Sequence, residues 1–108
     1  MKIRYLLKKV VLGDKEKKYV DEKIKRFEKY FKNLTESTLQ VEIEAEVDTK
    51  KIWRVELMIE SPYKLYRASK NGKTFMEAVD LADAALQMQV KRDQEKVKER
   101  RKKVMRTK

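Results

Sequence analysis

Residues 39–60 read LQVEIEAEVDTKKIWRVELMIE, and the fold can be predicted outward from this stretch. Apolar and polar residues alternate on both sides of the turn-like break DTKK at 48–51, which is typical of two half-exposed strands. The stretch therefore predicts a β-hairpin with one face on a core and one in water. The wet face carries the acidic row Glu42, Glu44 and Glu46. We favour this interpretation over a metal site, because nothing nearby supplies mixed ligands.

Strand patterns also flank the hairpin. Residues 1–12 predict a strand, since Ile3, Tyr5 and Leu7 recur at period two. The segment 61–64, SPYK, breaks the chain after the hairpin, and 65–70 predicts a shorter strand with Tyr66 and Ala68 inward. Asn71-Gly72 then predicts a turn.

Two segments show helical periodicity. In 14–33 the apolar residues recur at i, i+4, i+7 and i+11, which predicts a helix capped by Gly13 or Asp14. Thr74 to Glu77 matches the capping box S/T-x-x-E, so a second helix is expected to begin there. The two apolar faces are Val20, Ile24, Phe27 and Phe31 in the first helix, and Val79, Ala82, Leu86, Val90 and an extension to Val97 in the second.

The predicted order of elements is β-α-β-β-β-α. This order indicates an α+β fold of two layers, a four-stranded sheet with two helices packed on one face. We expect one domain over residues 1–97, followed at 98–108 by a basic tail or an extension of the second helix.

Composition narrows the function. The chain of 108 residues has no Cys and no His, which removes thiolate zinc sites, the usual general base and the commonest metal ligand. We therefore expect no enzyme, no cofactor, no metal and no small-molecule substrate. No apolar run approaches the ~18 residues needed to cross a bilayer, and residues 98–108 lack bulky apolar residues opposite their charges. A cytoplasmic protein with no membrane partner is expected.

The formal net charge of +11 is unevenly distributed. Residues 1–13 carry +4, residues 14–33 carry +3, residues 34–86 carry −3 and residues 87–108 carry +7. This polarity favours a polyanion as partner. A charged surface that serves only solubility or heat tolerance would explain the charge density but not its asymmetry.

Basic residues fall on flanks beside the helical apolar faces. Tyr19, Lys23, Arg26 and Tyr30 repeat the core spacing of the first helix along one side. Gln89 begins a similar stripe in the second. Both stripes suit phosphates, with the tyrosine rings against sugars or bases, although such helices also occur as plain solvated faces. The stripe of the second helix comprises Gln89, Arg92, Lys96, Arg100 and Lys103.

With these elements placed, the sequence resembles the ribosome hibernation promoting factor family, whose short members include the ribosome-associated inhibitor, protein Y. The likeness spans residues 1–100. It is carried by KYVDEKIKRFEKYF at 18–31, RASKNGKT at 67–74, MEAVD at 76–80 and the pair Gln89-Val90.

The resemblance implies a fold similar to double-stranded RNA-binding domains. It also implies binding to ribosomal RNA of the small subunit, in the channel used by messenger and transfer RNA, so that translation stops. The basic sites it implies are Lys17, Lys23, Arg26, Arg92 and Lys96. Family members usually carry basic residues at the positions of Ala85 and Met88 and a glycine at that of Leu7, so binding is expected to shift toward the tail.

The leading hypothesis is thus a non-enzymatic translation inhibitor that is monomeric off the ribosome. It fits a short member of the family or the N-terminal domain of a longer one. A general double-stranded RNA binder and a protein-interaction adaptor remain alternatives.

Overall fold

The computed structural model describes residues 3–30, 39–61 and 64–106, with the backbone alone for 28, 29 and 97–106. Four strands form one mixed sheet in the order β1-β2-β3-β4, and two helices cover one of its faces. This confirms the predicted fold. The elements are β1 (Ile3–Lys8), α1 (Asp14–Lys25), a 3-10 helix (Arg26–Tyr30), β2 (Gln40–Val47), β3 (Trp53–Glu60), β4 (Leu65–Gly72) and α2 (Phe75–Arg106).

The hairpin forms the centre of the sheet. β2 and β3 pair antiparallel, with Val41 opposite Ile59 and Ile43 opposite Leu57. Asp48 shapes the turn, because its carboxylate accepts hydrogen bonds from the backbone N–H groups of Lys50 and Ile52, both at 2.9 Å. β1 pairs parallel with β2, as the α1 crossover between them requires, and β4 pairs antiparallel with β3.

The core lies between the sheet and the helices. All predicted inward residues of β2 and β3 except Val47 and Trp53 are buried, and the described apolar residues of both helix faces are buried against them. Burial of each such side chain contributes about 1.5–3 kcal/mol. Fully buried side chains include Val20, Ile24, Phe27, Ile43, Val55, Leu57, Ile59, Val79, Leu86 and Val90.

The first helix differs from the prediction at its end. The α-helix stops at Lys25 and tightens into the 3-10 helix, a common way to finish a helix. Gly13 is the N-cap, and no side chain caps the helix there. The predicted end at residues 31–33, including Phe31, lies outside the described residues, as do Pro62 and Tyr63 of the predicted break.

The predicted turn at Asn71-Gly72 is wrong. Both residues belong to β4, where Gly72 pairs with Trp53, and the chain turns only at Lys73 and Thr74. A Cβ at Gly72 would lie 2.6 Å from the backbone nitrogen of Ala78. The glycine therefore serves the close approach of β4 to α2 rather than a turn.

α2 begins as predicted and is long. Thr74 Oγ1 accepts a hydrogen bond from the Glu77 N–H at 3.1 Å, which is one half of the capping box. At about 1.5 Å per residue the helix is ~48 Å long, whereas eight residues of strand reach only ~27 Å. Its last turns, after Gln94, thus extend beyond the sheet. No helix in the described part of the chain is long and apolar enough to cross a membrane.

Candidate nucleic-acid interface

α1 turns its predicted flank toward α2. Lys23 Nζ lies 3.2 Å from a carboxylate oxygen of Asp80 on α2, and the Tyr19 hydroxyl donates a hydrogen bond to the same carboxylate. Lys23 Nζ also lies over the Tyr19 ring, 5.3 Å from its centroid. The lysine is therefore held between the two helices, with only 19% of its side chain exposed.

Two carboxyl groups of α2 line this contact. Burial raises the pKa of Asp80, but hydrogen bonds from Tyr19 and Lys23 outweigh burial and bring the pKa below its usual value. Asp83, nearly one turn further on, is buried, and burial raises its pKa despite a 3.1 Å hydrogen bond from Gln87. Asp83 Oδ1 has no hydrogen-bond partner among the described residues. Asp80 and Asp83 thus form an acidic line that the sequence analysis did not single out.

Arg26 and Tyr30 continue the flank past the end of α1. Arg26 is exposed, and no described residue forms an ion pair with it. Tyr30 is half-buried near the ring of Phe27, and its carbonyl accepts a 2.5 Å hydrogen bond from Gln94 Nε2. This bond sets the end of the first helical segment beside the second half of α2.

Lys17 lies on the other flank of α1, facing β1. Its Nζ is 5.5 Å from the centroid of the Tyr5 ring, and its carbonyl accepts a hydrogen bond from the Tyr5 hydroxyl. Burial and the charge of Asp21 raise the pKa of Tyr5 to about 12. Asp21 thus lies away from the α2-facing flank, and Lys17 and Lys23 lie on different sides of the helix.

The predicted stripe of α2 lies on the side that faces β4, away from α1. Gln89 Nε2 donates a 2.7 Å hydrogen bond to the carbonyl of Arg67. Arg92 and Lys96, three and seven residues further on, share this side and are exposed. The side chains of Arg100 and Lys103 lie outside the described residues, although their backbone is helical.

Asp93 belongs to the same side of α2. Lys64 Nζ lies 2.6 Å from Asp93 Oδ2 and 5.3 Å from the Tyr66 ring centroid. Hydrogen bonding to Lys64, more than to Tyr66, lowers the pKa of Asp93. Burial first, and then Asp93, raises the pKa of Tyr66 to about 12. Asp93 lies only ~40° from Gln89 on a helical wheel, an angle too small to place the two residues on different sides of α2.

The two predicted stripes do not face each other across one groove, because one faces α2 and the other faces β4. Instead, Arg26 lies near the end of the first helical segment, where Tyr30 meets Gln94, and Arg92 and Lys96 lie at the same level of α2 but on its β4 side. Lys25 and Lys91 lie at this level too and were not among the predicted site residues. Lys91 lies four residues after Gln87 and three before Gln94, and this spacing predicts that the three residues share one side of α2. We call the exposed residues Lys25, Arg26, Lys91, Arg92 and Lys96 the basic end; none forms an ion pair with a described residue.

Charge changes sign along α2. Residues 75–90 contain three acidic residues and no basic one, a net charge of −3. Residues 91–106 contain nine basic and three acidic residues, a net charge of +6. This order also suits the helix dipole. The positive half begins at the basic end and continues into the part of the helix that extends beyond the sheet.

The open face of the sheet is different. Lys8 lies 2.6 Å from Glu44, Arg54 lies 3.2 Å from Glu46, and Arg67 lies 3.4 Å from Glu56. Hydrogen bonding to Glu44 raises the pKa of Lys8. The predicted acidic row is thus the wet face of the hairpin, with Glu44 and Glu46 in ion pairs.

The sequence also matches a known protein family. The family model described as Sigma 54 modulation protein / S30EA ribosomal protein matches residues 3–98. The chain belongs to this family. The match confirms the predicted relationship and places the chain among ribosome-associated factors that regulate translation.

Solved structures agree with the family in fold. A ribosomal subunit interface protein from Coxiella burnetii has a TM-score of 0.72 at 16% identity, over 87% of this chain and 98% of that one. The N-terminal domain of Protein Y from Thermus thermophilus has a TM-score of 0.71 at 26% identity, over 85% of this chain and 98% of that one. A search of curated proteins finds no match to the chain.

Proposed function

We propose that the protein binds the small ribosomal subunit and inhibits translation by occupying the channel for messenger and transfer RNA. Membership of the family supports ribosome association, and the observation that carries the proposed contact is the basic end. Its cations are exposed and have no ion pair within the described chain, so they are available to RNA phosphates. On this proposal the protein works in the cytoplasm and is monomeric off the ribosome.

All of the predicted residues except Lys17 and Lys23 divide into two groups on this proposal. Arg26, Arg92 and Lys96 contact phosphates directly, and Arg100 and Lys103 extend that contact along α2. Tyr30 and Gln89 hold the helices in place through their contacts with Gln94 and Arg67, and Lys17 lies at the margin of the surface.

Competition on purified small subunits tests the proposal. We expect the bound protein to resist an excess of random duplex RNA but to be displaced by messenger RNA with initiator transfer RNA. Loss of the protein to duplex RNA at equal phosphate concentration would instead indicate a general double-stranded RNA binder. Salt-insensitive binding to a ribosomal protein, with no affinity for RNA, would indicate an adaptor.

A further inference from the structure

At the contact between the helices, one cation of the predicted α1 stripe forms an ion pair with an acidic residue of α2. Lys23 is 3.2 Å from Asp80, and the Asp80 side chain is 49% exposed to solvent. A phosphate that approaches Lys23 from solvent therefore meets the carboxylate of Asp80 at the same place.

The carboxylate is fixed there. Tyr19 donates a hydrogen bond to it, and the Lys23 ammonium lies over the Tyr19 ring, so both partners hold Asp80 in one position. Asp83 adds a second carboxyl group, buried below the first. We call the line of Asp80 and Asp83 with Lys23 the seam.

Free cations lie beside the seam on α1 and beyond it on α2. On α1, the exposed residues Lys15, Lys18 and Lys25 form no ion pair with a described residue. On α2, residues 75–90 contain no basic residue, and the first such cation is Lys91, two to three helical turns beyond the seam. The seam therefore lies next to the exposed cations of α1 and ahead of the basic end.

We propose that Asp80 is a specificity-determining residue, whose carboxylate keeps phosphates out of the seam and so selects RNA shapes whose phosphates reach the exposed cations of α1 and the basic end without entering the seam. This inference rests on the proposed function. Lys23 then acts as a positioning residue for Asp80 rather than as a phosphate contact. RNA that could follow the groove between the helices with one continuous strand is disfavoured.

The test is Asp80→Asn, which keeps the size of the side chain and an oxygen that accepts hydrogen bonds from Tyr19 and Lys23. Removal of the charge frees Lys23 for one further phosphate. For single-stranded poly(U) we expect the affinity at 0.1 M salt to rise about fivefold and the slope of log K against log salt to steepen by ~0.7. The affinity for small subunits stays within about twofold, so the specificity ratio falls about fivefold.

Glu44→Gln is the matched control, because it removes one carboxylate from an ion pair with Lys8 on the open face of the sheet. Glu44→Gln is expected to leave the slope of log K against log salt unchanged for both poly(U) and small subunits. The inference is overturned if Asp80→Asn matches this control, or if it weakens poly(U) and subunit binding alike while the melting temperature holds. Binding of the unaltered protein to subunits reports separately on the proposed function.

Discussion

The open face of the sheet and the basic end of the helix layer both carry several cations, but they use them differently. On the open face, Lys8, Arg54 and Arg67 are each within 3.4 Å of a glutamate. At the basic end, Arg26, Arg92 and their neighbours form no ion pair with a described residue. Positive charge is thus paired with glutamates on one side of the molecule and is available to a partner on the other.

We therefore expect the pairing of a cation with a carboxylate to matter more for RNA binding than the number of basic residues on a surface. A paired cation must give up its carboxylate, or bring that carboxylate close to the phosphate, before it binds RNA. An unpaired one releases only counterions from the RNA. Substitutions that alter one surface at a time test this expectation.

The largest effect is expected from reversal of charge at the basic end. Replacement of Arg26, Lys91, Arg92 and Lys96 by Glu should lower the affinity for small subunits by about 10³-fold or more at 0.1 M salt, because four phosphate contacts are lost. Co-sedimentation of the protein with small subunits measures this affinity. Reversal of four exposed residues elsewhere, Arg4, Lys50, Lys70 and Lys73, is the control with the same charge change, and equal loss in both variants would remove the distinction.

A smaller effect is expected from a stop after Val97. The truncated chain lacks the basic last turns of α2 but keeps every described core residue, the last of which is Val90. We expect its melting temperature to change little, which would support a domain over residues 1–97. Subunit affinity should fall by ~10–100-fold, as for the loss of one to three phosphate contacts. An unchanged affinity would show that the extension does not touch RNA.

The smallest effect is expected on the open face. Replacement of Lys8, Arg54 and Arg67 by Gln should change subunit affinity by less than about twofold, although the change in net charge equals three lost cations. Exposed ion pairs contribute about 0–1 kcal/mol each to stability, so thermal melting should show at most a modest loss. A drop in affinity near that of the basic-end variant would place RNA on the sheet.

The strands and the core were predictable because their signals are local. Alternation in residues 39–60 and the helical spacing of Val20, Ile24 and Phe27 report which faces are buried, and each was confirmed. Gly72 was misassigned because its role depends on Ala78 of another element, a contact that local turn statistics do not contain.

The candidate site was less accessible to such reasoning. A helical wheel identifies the flank of Lys23 or Gln89, but it does not say which neighbouring element that flank faces. Asp80, the acidic partner of Lys23, lies 57 positions away along the chain. Tyr30 and Gln94, whose hydrogen bond joins the first helical segment to α2, are 64 positions apart, so local spacing does not reveal this contact. Lys91 was passed over for the same reason, since only the packed pair of helices gives it a basic neighbourhood.

Salt dependence of small-subunit binding tests the central claim most directly. With Arg26, Lys91, Arg92 and Lys96 replaced by Gln, we expect the slope of log K against log salt to become shallower by about 3, since each lost phosphate contact removes ~0.7–0.9. The variant with Lys8, Arg54 and Arg67 replaced by Gln should keep the slope of the unaltered protein. Equal slopes for the two variants would contradict the account, because the unpaired cations would then contact RNA no more than the paired ones do.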